Sequence, residues 1–239
     1  MIDPRREIIN ENLKNIKNII AISSGKGGVG KSVIASTLAL LLAKNKKVGL
    51  LDLDFTSPST HVILGVNNVF PEEKNGLIPP KIFNLEYMSI IFYSSNKVSP
   101  LRGKEISNAL IELLAITKWN TLDLLLIDMP PGISDATLDI MRLVKKIKFI
   151  IVTTSSLLSF ETVRKLIDLL KSQKMPIIGI IENMKNGKSF IEKRVKEKGI
   201  SYLGWIPFDP ELEKWIGKVE KLLNTSFAKK LGKISEKLI

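Results

Sequence analysis

Apolar residues along this chain fall into two alternating rhythms. Short runs that are apolar almost without interruption lie near 19–23, 47–52, 85–93, 122–128, 148–153, 176–182 and 202–206. Such runs read as strands buried on both faces. Between them, at about 31–44, 103–117, 135–145, 159–173, 188–198 and 225–238, apolar positions recur at helical spacing. The alternation predicts an α/β fold: a doubly wound, mostly parallel sheet with helices on both faces. Residues 1–17, rich in charge and Asn, read as an N-terminal arm or helix, and 18–239 as a single domain.

The junction of the first predicted strand and helix carries the sharpest chemistry. Gly25-Lys26-Gly27-Gly28-Val29-Gly30-Lys31-Ser32 satisfies the G-x-x-x-x-G-K-S/T pattern, with a second lysine, Lys26, after the first glycine. The glycines let backbone N–H groups curl around phosphate oxygens, and the start of the following helix adds its positive end. Gly25 to Val33 therefore form the expected phosphate-binding segment. Lys31 reaches the β- and γ-phosphates, and the Ser32 hydroxyl holds Mg²⁺. The pattern predicts a bound nucleoside triphosphate.

Two later strands end in carboxylates. Val48-Gly49-Leu50-Leu51 runs into Asp52-Leu53-Asp54, and Leu124-Leu125-Leu126-Ile127 runs into Asp128. Acids at the C-terminal ends of parallel strands face the crevice where such sheets bind ligands. One of Asp52 and Asp54 is suited to orient a water at the γ-phosphate and the other to support Mg²⁺, while Asp128 fits the Walker-B role. Pro130, Pro131 and Gly132 follow at once as a switch segment, with the Gly132 N–H expected to be free to sense a γ-phosphate. Asp135 is a candidate helix N-cap. Asn183 ends another apolar strand, and two readings stand: its amide reads an adenine edge, or it makes a turn. The stretch 65–84, with Pro71, Gly76, Pro79 and Pro80, is the longest without periodicity and reads as a mobile connection near the nucleotide.

Composition narrows the setting. Among 239 residues none is cysteine, which excludes disulfides, thiolate metal sites and a thiol nucleophile. No apolar run has the length of a membrane span and no signal-peptide pattern opens the chain, so a cytoplasmic protein is expected. Lys and Arg number 36 against 24 Asp and Glu, a net charge of +12. Nucleic acid and anionic membrane are therefore carried as alternative partners. Many of these lysines nevertheless sit at helix ends, where the helix dipole favours them. Phe227, Leu231, Ile234 and Leu238 form an amphipathic stripe that fits either packing on the domain or lying in a membrane interface. His61, the one histidine, reads as solvated or capping, since phosphoryl transfer needs no His base.

With these residues in hand the chain resembles the deviant Walker A (SIMIBI) group of P-loop NTPases, which includes MinD, ParA and the nitrogenase iron protein. Within it, the chain is similar to the Mrp/ApbC family, relatives of iron–sulfur scaffold ATPases. The resemblance rests on Ser24 to Ser32, Leu51-Asp52-Leu53-Asp54 with Ser57-Pro58-Ser59, Leu101-Arg102-Gly103, and Trp119 ahead of Leu122 to Gly132. Further on it rests on Ile181-Glu182-Asn183-Met184 and Leu203-Gly204-Trp205-Ile206-Pro207-Phe208-Asp209. These segments run in the family's order over about 17–235.

The resemblance implies a slow or partner-stimulated ATPase that forms a homodimer on ATP binding and works with metallocentre-assembly proteins. It makes Lys26 the lysine that crosses to the partner's phosphates, Lys31 the phosphate lysine and Ser32 the Mg²⁺ ligand. Asp54 would activate water, Asp52 and Asp128 would support the metal, Asn183 would contact adenine, and Pro207 would line the base. Two departures stand out. The family's Cys-x-x-Cys after Glu-Asn-Met is replaced by Lys185-Asn186-Gly187-Lys188-Ser189-Phe190, so this chain has no thiolates for an iron–sulfur cluster. Ile133-Ser134 also stands where Thr-Gly is usual. The alternative is a ParA- or MinD-like positioning ATPase that binds DNA or membrane.

Overall fold

A computed structural model describes residues 4–94 and 103–238. Leu101 and Arg102 of the Leu101-Arg102-Gly103 segment lie outside the described residues. The chain begins with α1 (Arg5–Leu13), β1 (Ile16–Ser24), α2 (Lys31–Leu42), β2 (Val48–Asp52) and α3 (Thr60–Leu64). Three two-residue strands follow, β3 (Glu72–Glu73), β4 (Leu77–Ile78) and β5 (Lys81–Ile82), then β6 (Leu85–Ser89), α4 (Ile91–Ser94) and α5 (Lys104–Ile116). The second half runs β7 (Leu122–Asp128), α6 (Asp135–Leu143), β8 (Ile147–Thr154), α7 (Leu157–Ser172), β9 (Ile177–Lys185), α8 (Ile191–Glu197) and β10 (Tyr202–Pro207). A 3₁₀ turn (Leu212–Trp215), α9 (Val219–Leu223) and α10 (Ser226–Ser235) complete it.

Eight strands form one sheet in the order β10-β9-β8-β1-β7-β2-β6-β5, parallel except where β5 pairs with β6. Alternation within single strands divides the core in two. Ile19 and Ala21 of β1, with Leu125 and Ile127 of β7, face the layer of α1, α5, α6, α7 and α8. Ile20 and Ile22, with Leu124 and Leu126, face α2, α3, α9 and α10. Period-2 side chains with both faces covered explain why these strands read as unbroken apolar runs. The predicted doubly wound sheet is the observed fold. The N-terminal segment is the helix α1, which packs on α5 through Ile9 and Leu13 and donates from the Asn12 amide to the Ala115 carbonyl at 2.6 Å.

Three expectations change. The stretch 65–84 is not an irregular connection: β3 and β4 pair antiparallel, and β5 turns into β6 through Phe83-Asn84, both at positive φ (48° and 65°). Two-residue strands are too short to show a period. The strand expected over 85–93 stops at Ser89, whose hydroxyl accepts from the Ile91 N–H at 3.3 Å as α4 begins. Third, Asp135 does not cap α6. Ser134 does, accepting from the Thr137 N–H at 3.3 Å, and Asp135 takes the first helical position, where its charge suits the dipole. That cap is a local reason for serine at the Ile133-Ser134 departure.

The C-terminal stripe is a packing face. Phe227, Leu231 and Ile234 are buried as α10 packs on β10 and α2, with Thr225 capping its start by accepting from the Ala228 N–H at 3.1 Å. The interfacial-helix reading thereby loses its apolar surface, and among the described residues no helix is long and apolar enough to cross a membrane. Leu231→Ala is expected to lower the unfolding free energy by about 2–5 kcal/mol in urea titrations, as for other fully buried leucines.

Candidate functional site

The parallel order sets β1 between β7 and β8, and the register aligns Asp128 with Ile22 on one side and with Asp52 on the other. The C-terminal ends of β1, β7 and β2 therefore open together at one crevice. The phosphate loop crosses it from Ser24, whose hydroxyl donates to the Lys26 carbonyl at 2.9 Å, to Lys31 at the start of α2. Two glycines are dictated by geometry. A Cβ on Gly25 would lie 2.5 Å from the Thr162 carbonyl carbon of α7, and one on Gly30 would lie 2.4 Å from Asn183 Nδ2. Gly30 also holds φ 79°, the left-handed region, as it feeds the chain into α2. Lys26, Gly27 and Gly28 are exposed at the tip.

Charge is concentrated beneath the loop. Lys31, only 6% exposed, donates through Nζ to Asp128 Oδ1 at 2.5 Å and to Ser32 Oγ at 3.3 Å. Asp128 is fully buried, and among the described residues its Oδ2 has no hydrogen-bond partner. Asp52, its register partner, is equally buried. Its Oδ1 accepts from the Asp54 N–H at 3.0 Å, and its Oδ2 from the Thr60 hydroxyl at 2.6 Å, which also meets the Tyr87 hydroxyl at 2.8 Å. Asp54 faces the opening, with Oδ1 accepting from the Thr56 hydroxyl at 2.7 Å and the Ser57 N–H at 3.0 Å, so the loop after β2 holds this carboxylate in place.

These residues line or underlie a cavity of about 550 Å³. Lys26 to Val33, Asp54 and Pro131 are on its wall, while Asp52 and Asp128 are buried and do not line it, Asp128 being joined to the wall through Lys31. Among the described residues no three His, Asp or Glu side chains converge as a metal cage. The oxygen groups at hand fit Mg²⁺, which binds through one or two protein oxygens and substrate phosphates: the Ser32 hydroxyl and the buried Asp128 Oδ2, which is unpartnered among the described residues. No residue of 65–84 lines the cavity. Glu213 and Ile216, from the 3₁₀ turn and its exit, do line it, though no motif marked them. His61 borders a separate cavity of about 270 Å³, and burial lowers its pKa.

The switch segment is tied down at both ends. Met129 N–H donates to the Ile22 carbonyl at 3.1 Å and Gly132 N–H to the Ser24 carbonyl at 2.9 Å. The expectation that the Gly132 N–H stands free is therefore corrected: parallel strands β1 and β7 continue their pairing past their ends and engage it. Pro130 is buried behind the wall. Asn183 and Pro207 are not on the cavity wall. Asn183 donates from Nδ2 to the Val29 carbonyl at 2.9 Å, and Pro207 pairs with Lys185 at the outer strand.

Burial pushes Asp128 above the usual carboxylate range, against the pull of Lys31. Burial, with the Asp128 charge adding to it, pushes Asp52 up to about 7 against the hydrogen bonds from Thr60 and Asp54. A group that binds its proton more tightly when folded contributes stability that is full below its unfolded pKa and is lost as pH rises through the folded one. The melting temperature of Asp52→Asn relative to wild type, measured by calorimetry without nucleotide or Mg²⁺, is expected to rise as pH goes from about 5 to about 8.

Comparison with known proteins shows the family of this chain. The ParA family model, described as NUBPL iron-transfer P-loop NTPase, matches residues 15–239. The iron-sulfur cluster carrier protein of Methanocaldococcus jannaschii is 40% identical over 220 residues, 84% of this chain and 76% of its own length. That of Aquifex aeolicus is 34% identical over 226 residues, 87% of this chain. The chain spans 62% of the Aquifex protein and 55% of the Rickettsia bellii one. Among solved structures, the Archaeoglobus fulgidus nucleotide-binding protein in complex with ADP superposes with a TM-score of 0.75 at 32% identity, covering 97% of this chain and 93% of that one. The Pyrococcus furiosus cell division ATPase MinD shares the fold, with a TM-score of 0.69 at 20% identity over 93% of this chain and 98% of its own. The chain belongs to the ParA family, as a P-loop NTPase of the NUBPL iron-transfer type.

Proposed function

We propose that this chain is a Mg·ATP-dependent switch that hydrolyses ATP slowly, pairs with a second copy when ATP is bound, and serves iron–sulfur or other metallocentre assembly without holding a cysteine-ligated cluster itself. The observation that carries this reading is the Lys31–Asp128 ion pair at the foot of an open glycine cradle, with Asp128 Oδ2 buried and unpartnered. A triphosphate in the cradle offers Lys31 more negative charge than a single carboxylate does. Lys31 would then engage the β- and γ-phosphates, leaving Asp128 free to support Mg²⁺. Ser32, in the first turn of α2, would offer its hydroxyl to the metal. Mg²⁺, when bound, would neutralise charge on the phosphates. Asp54, held by Thr56 and Ser57 on the cavity wall, accepts a hydrogen bond from the attacking water and orients it.

The exposure of Lys26 at the loop tip supports its reaching across to a second copy. A cation supplied across an interface stabilises charge in the transition state as an arginine finger does. The assembly role is supported by curated relatives named iron-sulfur cluster carrier protein. The absence of cysteine assigns any cluster in that process to partner proteins.

Lys31→Ala and Asp54→Ala are each expected to lower ATP turnover by at least about a hundredfold, the scale of losing a charge-stabilising group. Unchanged phosphate release in both variants would sink the assignment. In light scattering, ATP with Mg²⁺ is expected to raise the particle mass toward that of a dimer, more completely in Asp54→Ala. A strict monomer at saturating Mg·ATP would remove the trans role of Lys26.

A further inference from the structure

We infer that Tyr87 and Thr60 are positioning residues for the loop that carries Asp54: Tyr87 sets Thr60, Thr60 sets Asp52, and Asp52 gathers both ends of the loop. The effect on turnover rests on the proposed role of Asp54, while the anchoring itself is independent of hydrolysis.

Asp52 ends β2, and residues 53–59 lead from it to α3. Its two carboxylate oxygens hold that loop from opposite ends. Oδ1 accepts from the Asp54 N–H at 3.0 Å, and Oδ2 accepts from the Thr60 N–H at 3.3 Å and from the Thr60 hydroxyl at 2.6 Å. Within the loop, Thr56 and Ser57 grip the Asp54 carboxylate. The place of Asp54 on the cavity wall therefore depends on how Asp52 is held.

Thr60 is the link in a row of donors. Its hydroxyl has one hydrogen, which goes to Asp52. The Tyr87 hydroxyl, 2.8 Å away, is then the donor and the Thr60 oxygen the acceptor. Burial, with the Asp52 charge adding to it, raises the pKa of Tyr87, so the phenol keeps the proton it donates. Hydrogen bonds in such a row polarise one another, so donation by Tyr87 strengthens the bond from Thr60 to Asp52.

Three elements bring the row together. The pairing of β2 with β6 sets Tyr87 beside Leu50 and Ser89 beside Asp52. Leu50 and Tyr87 belong to the core layer under α2 and α3, and Asp52, next but one after Leu50, turns to the same side. Thr60 meets it there as the first residue of α3. Thr60 and Tyr87 are both fully buried, and the Phe92 ring stands edge-on to Tyr87 with centroids 5.6 Å apart. An apolar side chain would fill this layer without the cost of burying a hydroxyl. The phenol instead places its oxygen against the donor of a buried carboxylate. Neither Thr60 nor Tyr87 lines the nucleotide cavity, so both act through Asp52.

The test measures kcat and KM for Mg·ATP, together with nucleotide-free hydrogen exchange in the peptide covering 53–60. The proteins compared are wild type, Tyr87→Phe, Thr60→Val, Thr60→Ser and the double variant Tyr87→Phe/Thr60→Val. Turnover is expected to fall at least about tenfold in Thr60→Val and about threefold in Tyr87→Phe, the scales of a hydrogen bond to a charged group and of a neutral one. KM for ATP is expected to stay within about twofold, because the glycine loop is untouched. The double variant is expected to match Thr60→Val, since Tyr87 reaches the loop only through Thr60. Thr60→Ser keeps the hydroxyl and is expected to retain turnover close to wild type. Exchange over 53–60 is expected to quicken in Thr60→Val and Tyr87→Phe, while β8 and β9 stay protected as in wild type. Unchanged kcat in Thr60→Val, additive losses in the double variant, or unchanged exchange over 53–60 would each overturn the inference. So would a Thr60→Ser variant as slow as Thr60→Val, or a raised KM with kcat intact. A wild-type protein that releases no phosphate from ATP would refute the hydrolytic reading, and the exchange data alone would then uphold or sink the anchoring. Should Thr60→Val fail to fold, Tyr87→Phe decides on the same two readouts.

Discussion

Two carboxylates buried side by side at the ends of parallel strands, Asp52 opposite Asp128, impose the central constraint on this molecule. Removing charge from water is costly, and like charges in contact raise the cost further. Lys31 compensates one oxygen of Asp128, the Thr60 hydroxyl and Asp54 N–H compensate Asp52, and one oxygen of Asp128 is left without a partner. Lys31, on the wall of the cavity, joins this buried pair to the glycine loop.

The rest of the architecture follows from holding that cluster in place. The order β8-β1-β7-β2 sets β7, which ends at Asp128, between the loop-bearing β1 and β2, which ends at Asp52. Burying both faces of the sheet under helices removes water from the strand ends and so gives the carboxylates their raised pKa values. The loop is then constrained from three directions: α7 packs against Gly25, Gly132 bonds to Ser24, and Asn183 bonds to Val29. These contacts come from elements far apart in the chain, so the loop's position depends on residues outside its own sequence.

Legibility in the sequence followed physical range. The phosphate loop and the Asp128 strand were readable because phosphate binding needs contiguous backbone donors and a helix start, and a buried strand needs an unbroken apolar run. The two-residue strands within 65–84, the five-residue α3 and the 3₁₀ turn bearing Glu213 left no trace, because a period has to recur more than once before it stands out from the sequence. Asp135 read as the cap of α6, and only the hydrogen bond from the Thr137 N–H shows that Ser134, one residue earlier, takes that place.

By itself the sequence determined the alternation of strands and helices, the glycine cradle with its two lysines, the three strand-end acids, and the absence of any cysteine for a cluster. These are local properties, written in consecutive residues or in composition. The tertiary structure decided what each polar group does once its neighbours are known. It buried the C-terminal stripe against β10 and α2, where the same pattern would equally suit a membrane surface, because a stripe specifies an apolar partner without naming it. It engaged the Gly132 N–H with Ser24 and turned Asn183 toward Val29, because hydrogen-bond partners are chosen by proximity in the folded chain rather than by residue type.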